Sequence, residues 1–325
     1  MALAKIFDTL RLPVVAAPMF LVSGKELALA CCRAGIVGTF PALNQRSTEG
    51  FEQWVVELKE ALATFRQEQS GSAPSAPCGP FGVNLSVHRS NPRLLADLEI
   101  CVKHEVPLVI TSLGAVPDLV ERVHAYGGTV FHDVTNLKHA QKAVSAGVDG
   151  LILVAGGAGG HAGTTNPFAL MHEIRPHFEG SLVLAGGLST GSDVVAARVM
   201  GADLAYMGTR FLGTMESSAQ DDYKQMLIDA RPQDIVHTPA VSGVPANFMR
   251  QSLEASNYDM EKLSVPARVN LGDVLADSDG ASAWKTVWSA GHGVSAISSI
   301  PSVRDLVATL EEEYQCARTA FTSKT

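Results

Sequence analysis

The sequence predicts an α/β protein in which eight short parallel strands alternate with helices. Short β-branched runs recur over the first two thirds of the 325 residues, and helix-like stretches separate most of them. The later runs begin at intervals of roughly 20 to 30 residues, as repeated βα units would. Such units either close into a (β/α)8 barrel or spread into an open doubly wound sheet, and periodicity does not separate these alternatives.

Continuous apolar runs of this length are typical of strands that are buried on both faces. The expected strands, in chain order, are Pro13–Ala17, Ile36–Phe40, Phe81–Leu85, Leu108–Thr111, Thr129–Phe131, Gly150–Val154, Leu182–Ala185 and Leu204–Met207. Before four of them a glycine marks the end of the preceding helix, because glycine adopts the left-handed conformation after a helix at low cost. These glycines are Gly35, Gly127, Gly147 and Gly201.

The remaining segments predict how the chain is divided. A helix is expected over Glu49–Gln69, and the Ser-, Pro- and Ala-rich stretch Ser70–Pro80 is interpreted as the loop that follows it. The strand rhythm stops after the eighth strand. We therefore expect a strand-and-helix domain over residues 1–216 and a smaller, mainly helical domain over 217–290. The chain then returns to the first domain over 291–325, with a helix at Val303–Tyr314.

Composition and charge narrow the class of partner. Hydrophobic residues make up 46% of the chain and charged residues 18%, which excludes intrinsic disorder. The formal net charge is −8 without any Lys/Arg-rich run, so a small molecule is expected as the partner and nucleic acid or a membrane is not. Five cysteines without a Cys-x-x-Cys pair suit a reducing cytoplasm and predict no disulfide framework. We expect neither a membrane span nor an export signal.

The most informative motif joins the sixth expected strand to the glycine-dense loop Gly156-Gly-Ala-Gly-Gly-His161-Ala-Gly163. Glycines let the backbone approach a flat ligand or phosphate closely, and an imidazole titrates near neutral pH. His161 is therefore the leading catalytic candidate, with a structural histidine as the alternative. The loop also fits the dinucleotide pattern G-x-G-x-x-G/A. However, Thr164–Pro167 interrupts the helix that this pattern requires, and the acidic Glu179 precedes the next strand.

Two further glycine loops follow the seventh and eighth expected strands. The first contains Gly186 and Gly187, and the second contains Gly208 and Thr209. In (β/α)8 enzymes, the loops after strands seven and eight frequently bind a phosphate through backbone N–H groups. The two loops therefore indicate a phosphate cradle, and the alternative is that their glycines only shape turns.

Several of these segments occur together in one order and spacing. They are Pro13-Val-Val-Ala-Ala-Pro-Met19, Phe81-Gly-Val-Asn-Leu85, Ala158-Gly-Gly-His-Ala-Gly163, Leu184-Ala-Gly-Gly187 and Met207-Gly-Thr-Arg-Phe-Leu212, with a weaker echo at Trp288-Ser-Ala-Gly-His-Gly293. In this order the chain resembles the nitronate monooxygenase family, formerly called 2-nitropropane dioxygenases, from residue 12 to about 215. The resemblance implies a (β/α)8 TIM barrel that binds FMN, with a smaller helical domain that carries or covers the substrate.

The resemblance also implies roles for individual residues. His161 matches the family histidine beside the reactive part of the flavin and would remove a proton from the carbon that bears the nitro group. FMN and O2 would then oxidise the nitronate to a carbonyl compound and nitrite. The residues expected near the cofactor are Ala17, Pro18 and Met19 along the ring, Asn84 at its polar edge, Gly186, Gly187, Gly208 and Thr209 at the phosphate, and Asp133 and Gly160.

Three positions depart from the family pattern. Gly157 stands where many relatives have Glu, Asp133 stands where Lys or Gln is expected, and His292 replaces an expected Gln. An anionic Asp133 beside the flavin would disfavour the reduced, anionic flavin. We therefore expect Asp133 to be turned away, to be paired, or to change the redox properties. Considered alone, it is a turn residue at a strand end.

Three other functions stay open. Enoyl-acyl carrier protein reductase II and NADH:quinone reductases resemble the chain in the glycine–histidine segment and take electrons from a pyridine nucleotide. A metal-dependent hydrolase would use His132, Asp133 and His161, although the first strand lacks a His-x-His pair. The third alternative is a flavin-binding protein without catalytic activity. The main hypothesis requires no metal, and the sequence leaves self-association open.

Overall fold

The computed structural model describes residues 5–69, 77–114, 116–264 and 285–323. Its strands are β1 (Val14–Ala16), β2 (Val37–Pro41), β3 (Phe81–Ser86), β4 (Leu108–Ser112), β5 (Thr129–Val134), β6 (Gly150–Val154), β7 (Gly160–His161), β8 (Ser181–Ala185), β9 (Leu204–Met207), β10 (Ile235–Thr238) and β11 (Ala246–Met249). Eight of them close into a parallel barrel in the order β1-β2-β3-β4-β5-β6-β8-β9. The (β/α)8 barrel and its eight strands are thus confirmed, and the open sheet is wrong.

Helices connect successive barrel strands on the outside of the barrel, and further helices follow the last barrel strand. They are α1 (Lys25–Arg33), α2 (Thr48–Gln69), α3 (Leu94–Lys103), α4 (Pro117–His124), α5 (Leu137–Ser145), α6 (Pro167–Ile174), α7 (Gly191–Val199), α8 (Thr209–Leu212), α9 (Asp221–Asp229), α10 (Arg250–Ala255) and α11 (Val303–Thr322). The four glycines expected before strands all have positive φ angles, between 83° and 99°. The expected loop Ser70–Pro80 lies largely outside the described residues.

Inward-facing side chains fill the barrel because residues alternate between the two faces of each strand. The fully or almost fully buried interior layer consists of Val15, Val37, Leu108, Ile110, Phe131, Ile152, Val183 and Leu204. Each such side chain stabilises the fold by about 1.5–3 kcal/mol relative to an exposed position. Above this layer, the carboxyl ends of the strands carry polar side chains, and this end of the barrel is where the site is found.

Helix α11 returns the chain to the barrel wall and packs against α7 and α1. Ser302 begins the helix by accepting a hydrogen bond from the backbone N–H of Asp305. The close approach depends on Gly191, because a Cβ at this position would overlap the carbonyl oxygen of Leu310. The helix expected at Val303–Tyr314 therefore forms, and its residues continue to Thr322.

The segment after the barrel differs from the mainly helical expectation. Strands β10 and β11 pair antiparallel, and β11 also pairs antiparallel with β7, with Ala246 opposite His161 and Asn247 opposite Gly160. The strands are too short for their period to appear in the sequence, and the partner of β11 lies far earlier in the chain. Residues 265–284 of this segment lie outside the described residues, and the limits 217–290 of a second domain stay a prediction.

Among the described residues, no helix combines the length and the apolar character that crossing a membrane requires.

Candidate active site

A cavity of about 740 Å³ opens at the carboxyl ends of the barrel strands. Active sites of (β/α)8 enzymes occupy this face, and the volume falls within the usual range for ligand and cofactor pockets. Every site residue proposed from the sequence lines this one cavity: Ala17, Pro18, Met19, Asn84, Asp133, Gly160, His161, Gly186, Gly187, Gly208 and Thr209. The structure therefore brings together residues on or just after five barrel strands, β1, β3, β5, β8 and β9, and the two residues of the short strand β7.

The residues after β1 form an apolar wall of the cavity. The backbone N–H of Ala17 donates to the carbonyl oxygen of Met207 at 3.0 Å, which continues the pairing of β1 with β9. The side-chain amide of Asn44 donates to the carbonyl oxygen of Met19 at 3.0 Å and so fixes the following turn. A Cβ on Gly208 would lie 3.6 Å from both the Ala17 Cβ and the Met19 Sδ. Ala17, Pro18 and Met19 thus give this side of the cavity an apolar surface, which suits a flat ring.

The two glycines after β8 are required for different reasons. A Cβ on Gly186 would stand 2.9 Å from the carbonyl oxygen of Gly156, so this position allows two loops to approach closely. A Cβ on Gly187 would meet no atom within 4 Å, yet its φ of +75° strains any other residue. Backbone at Gly187 thus borders open space in the cavity, as a phosphate cradle requires.

The loops after β9 and β6 are hydrogen-bonded to residues 291–292, where the chain returns to the barrel. Thr209 Oγ1 accepts a hydrogen bond from the backbone N–H of Gly291 at 2.9 Å, and the N–H of His292 donates to the carbonyl oxygen of Gly157 at 2.9 Å. A Cβ on Gly291 would overlap that same carbonyl oxygen. The segment Trp288–Gly293, which resembles the family more weakly, therefore closes one side of the cavity.

His161 is held in the cavity by the three-stranded sheet. Its Nε2 lies 3.3 Å from the Oγ of Ser242, in the chain between β10 and β11. The preceding N–H, of Gly160, donates to Ser289 Oγ at 2.8 Å, and Ser289 Oγ donates to the carbonyl oxygen of Asn247. Desolvation in the cavity lowers the pKa of His161 to about 4. The imidazole is therefore neutral at pH 7 and able to accept a proton.

A chain of hydrogen bonds links three neighbouring barrel strands. Asn84 Nδ2 on β3 donates to Ser112 Oγ on β4 at 2.7 Å, and Ser112 Oγ donates to Asp133 Oδ2 on β5 at 2.5 Å. The other carboxyl oxygen, Oδ1, is buried and has no hydrogen-bond partner in the described part of the chain. Burial raises the pKa of Asp133 to about 6, although the hydrogen bond from Ser112 opposes the shift. Among the residues that the structure describes, Asp133 is thus paired with the neutral Ser112 hydroxyl and with no cation.

Two sequence alternatives are contradicted by this geometry. His132 Nδ1 lies 2.7 Å from Thr111 Oγ1, and burial lowers the pKa of this histidine to about 4. Residues 5–69, 77–114, 116–264 and 285–323 contain no group of three or more His, Cys, Asp or Glu side chains that could hold a metal ion. The hydrolase site made of His132, Asp133 and His161 is therefore wrong. The dinucleotide interpretation is also wrong, because β6 leads through a loop into β7 of the three-stranded sheet and not into the helix that the pattern requires.

Sequence reasoning missed several polar residues around the cavity, namely Ser112, Tyr206, Ser242, Asn247 and Ser289. Ser112 could have been found, because it continues the inward period of Leu108 and Ile110 by one more step. Tyr206 follows Leu204 at the same period on β9. The contacts of Ser242, Asn247 and Ser289 join segments far apart in the chain, and no local pattern indicates them.

The comparisons with known proteins agree with this architecture. The family model described as nitronate monooxygenase matches residues 2–313. The chain is 26% identical over 345 residues to a nitronate monooxygenase of Paraburkholderia phytofirmans, covering 93% of this chain and 92% of that protein. The sequence resemblance, recognised over residues 12 to about 215, thus extends over nearly the whole chain.

Two solved structures superpose over nearly the full length. A nitroalkane oxidase from Streptomyces ansochromogenes has a TM-score of 0.76 and 25% identity, over 97% of this chain and 99% of that one. FabK from Thermotoga maritima has a TM-score of 0.78 and 22% identity over the whole of both chains, which shows the fold alone. Because the family model covers almost all of the sequence, the chain belongs to the nitronate monooxygenase family of flavin-dependent oxidoreductases.

Proposed function

We propose that this protein is an FMN-dependent enzyme that oxidises alkyl nitronates, or the nitroalkanes from which they form, with O2 to a carbonyl compound and nitrite. The observation that carries the proposal is that His161 and the glycine loops after β8 and β9 line a single cavity. A group that can accept a proton and a backbone surface that can bind a phosphate are thus available to the same ligand.

The residues present fit a flavin mononucleotide. The apolar wall of Ala17, Pro18 and Met19 suits the ring, and the open backbone at Gly187 suits the phosphate. Asn84 uses Nδ2 in its hydrogen bonds to the protein, so Oδ1 is the polar atom that remains for a ligand. When bound, FMN supplies the acceptance of electrons from the nitronate and their transfer to O2. The protein supplies position, exclusion of water and charge.

His161 takes the proton when the substrate is a neutral nitroalkane. Its neutral form is the one that accepts a proton, and the low pKa keeps it neutral over the physiological range. The negative charge that develops on the nitro group stabilises the imidazolium, because an opposite charge nearby raises a histidine pKa. A substrate supplied as the nitronate anion has already lost this proton and makes no use of the base.

The proposal is tested by mixing the purified protein anaerobically with an alkyl nitronate, with NADH and with NADPH while the flavin absorbance is followed. We expect bleaching with the nitronate, and nitrite after admission of air. Bleaching only by a pyridine nucleotide would favour the reductase alternative. No bleaching by any of the three would favour a flavin-binding protein without activity. A protein that does not bind flavin would contradict the proposal outright.

A further inference from the structure

The hydrogen-bonded chain from Asn84 to Asp133 has a defined direction. Ser112 has one hydroxyl proton, which it donates to Asp133 Oδ2, and its oxygen accepts from the amide of Asn84. Oδ2 is therefore satisfied by a neutral donor. Oδ1 is buried without a partner among the described residues, on a side chain that lines the cavity. A buried polar atom of this kind indicates a ligand or a proton that the protein itself does not supply.

The charged groups around Asp133 do not compensate an ionised carboxylate. Tyr206 faces it from β9, and burial together with the charge of Asp133 holds the pKa of that phenol well above its usual range. His132, next to it on β5, bonds to Thr111. His161, His139 and Lys142 line other parts of the cavity, and within the described residues none forms an ion pair or hydrogen bond with Asp133.

An ionised carboxylate costs far more free energy to bury without a cation than a neutral carboxylic acid does. A flat ring that covers the cavity floor would remove further water from Asp133 and increase that cost. The acid form also offers one O–H donor, which the carboxylate lacks. Binding of a ligand over Asp133 is therefore coupled to uptake or retention of one proton.

We propose that Asp133 is a proton-dependent positioning residue for the flavin, which binds tightly when this carboxyl group is protonated and weakly when it is ionised. The inference rests on the proposed function only in that FMN occupies the cavity. It concerns affinity for the cofactor and holds whichever substrate the enzyme oxidises.

The test measures flavin affinity, without any substrate, from about pH 5 to about pH 8. FMN and riboflavin are titrated into the full chain after the flavin has been removed by dialysis, and quenching of flavin fluorescence gives Kd. Riboflavin is needed because the phosphate of FMN itself titrates near pH 6. We expect the wild-type Kd for riboflavin to rise by up to about tenfold per pH unit above the titration of Asp133.

Three variants test whether Asp133 causes the pH dependence of the Kd for riboflavin. Asp133→Asn keeps the shape of the neutral acid, so its Kd for riboflavin should not change with pH and at about pH 8 should be at least tenfold below that of the wild type. Ser112→Ala removes the hydrogen bond to Oδ2 and should move the wild-type transition to higher pH. Asp118→Asn removes an equal charge at an exposed position on α4, outside the cavity, and should behave as the wild type.

Equal pH dependence of riboflavin binding in the wild type and in Asp133→Asn would overturn the proposal. If flavin binds and nitronates are oxidised in that case, the proposed function stands and only the role of Asp133 falls. If the folded protein binds neither FMN nor riboflavin at any pH, both fall.

Discussion

The imidazole of His292 lies against the space that a side chain at Gly157 would enter. A Cβ on Gly157 would stand 3.0 Å from His292 Nδ1 and 3.2 Å from its Cγ, and the φ of Gly157 is +88°. These are two of the three positions at which the sequence departs from the family pattern. The departures are therefore not independent, because glycine at one position makes room for the imidazole at the other.

This contact predicts that Gly157→Ala destabilises the protein by more than the backbone strain alone. Gly127→Ala is the matched control, since Gly127 has a similar φ of +83° and a Cβ there would meet nothing within 4 Å. We expect a strain cost of about 1–2 kcal/mol in both variants and an additional loss at Gly157. Urea unfolding measures both values. In the His292→Gly background the additional loss should disappear, and an unchanged difference would contradict the contact.

Replacement of His161 by Ala or Gln should lower turnover of the neutral nitroalkane much more than turnover of the nitronate anion. Turnover of a neutral nitroalkane should fall by about 10²-fold or more because the base is lost, while oxidation of the preformed nitronate is largely retained. Release of nitrite measures both rates. Equal losses on the two forms would show that His161 does not act as the base, and full activity on the nitroalkane would show the same.

The low pKa of His161 predicts the acid limb of the pH profile. Since burial lowers this pKa to about 4, kcat/KM for a neutral nitroalkane should decline only as the pH approaches about 4 from above. The nitronate anion protonates in acid by itself, so the neutral nitroalkane is the substrate to use. A decline centred near the ordinary histidine pKa of about 6.5 would contradict the buried, neutral ring.

Asp133→Asn should stabilise the folded protein at neutral pH. The folded-state pKa is raised from 3.8 to about 6, so the unfolded chain releases this proton first and wild-type stability falls as the pH rises between these values. Well above pH 6 the variant should exceed the wild type by about 3 kcal/mol in the free energy of unfolding, and below about pH 3 the difference should vanish. Urea unfolding of the flavin-free protein across this range measures it, and a difference independent of pH would contradict the shift.

Ser289→Ala should loosen the strand that carries His161. Ser289 Oγ accepts from the N–H of Gly160 and donates to the carbonyl oxygen of Asn247, so its removal leaves both backbone groups without this partner. We expect a loss of about 1–3 kcal/mol in stability together with a lower kcat on nitroalkanes. Ser145→Ala, at an exposed position on α5, is the control and should change neither. Activity equal to the wild type would show that this hydrogen bond does not position β7.

Local patterns were sufficient for the strands, for the glycines that precede them and for the residues at the carboxyl ends. A parallel strand is buried on both faces and a glycine with positive φ is needed wherever a helix turns into the next strand, so both leave a signal in a few neighbouring residues. The alternation of residues along β4 also predicts that Ser112 faces inward, but the strand was expected to end at Thr111 and so Ser112 was missed.

The sequence by itself determined the barrel strands and, through its resemblance to a family, their closure and the residues that meet at one end. Only the tertiary structure decided how His161 is held, because β7 obtains its partner β11 and its anchor Ser289 from distant parts of the chain. The tertiary structure also decided the protonation state of Asp133, because the pKa of a carboxyl group depends on its burial and on groups from other strands. Contacts between residues far apart in the sequence depend on how the elements pack in three dimensions, and no periodicity along the chain predicts them.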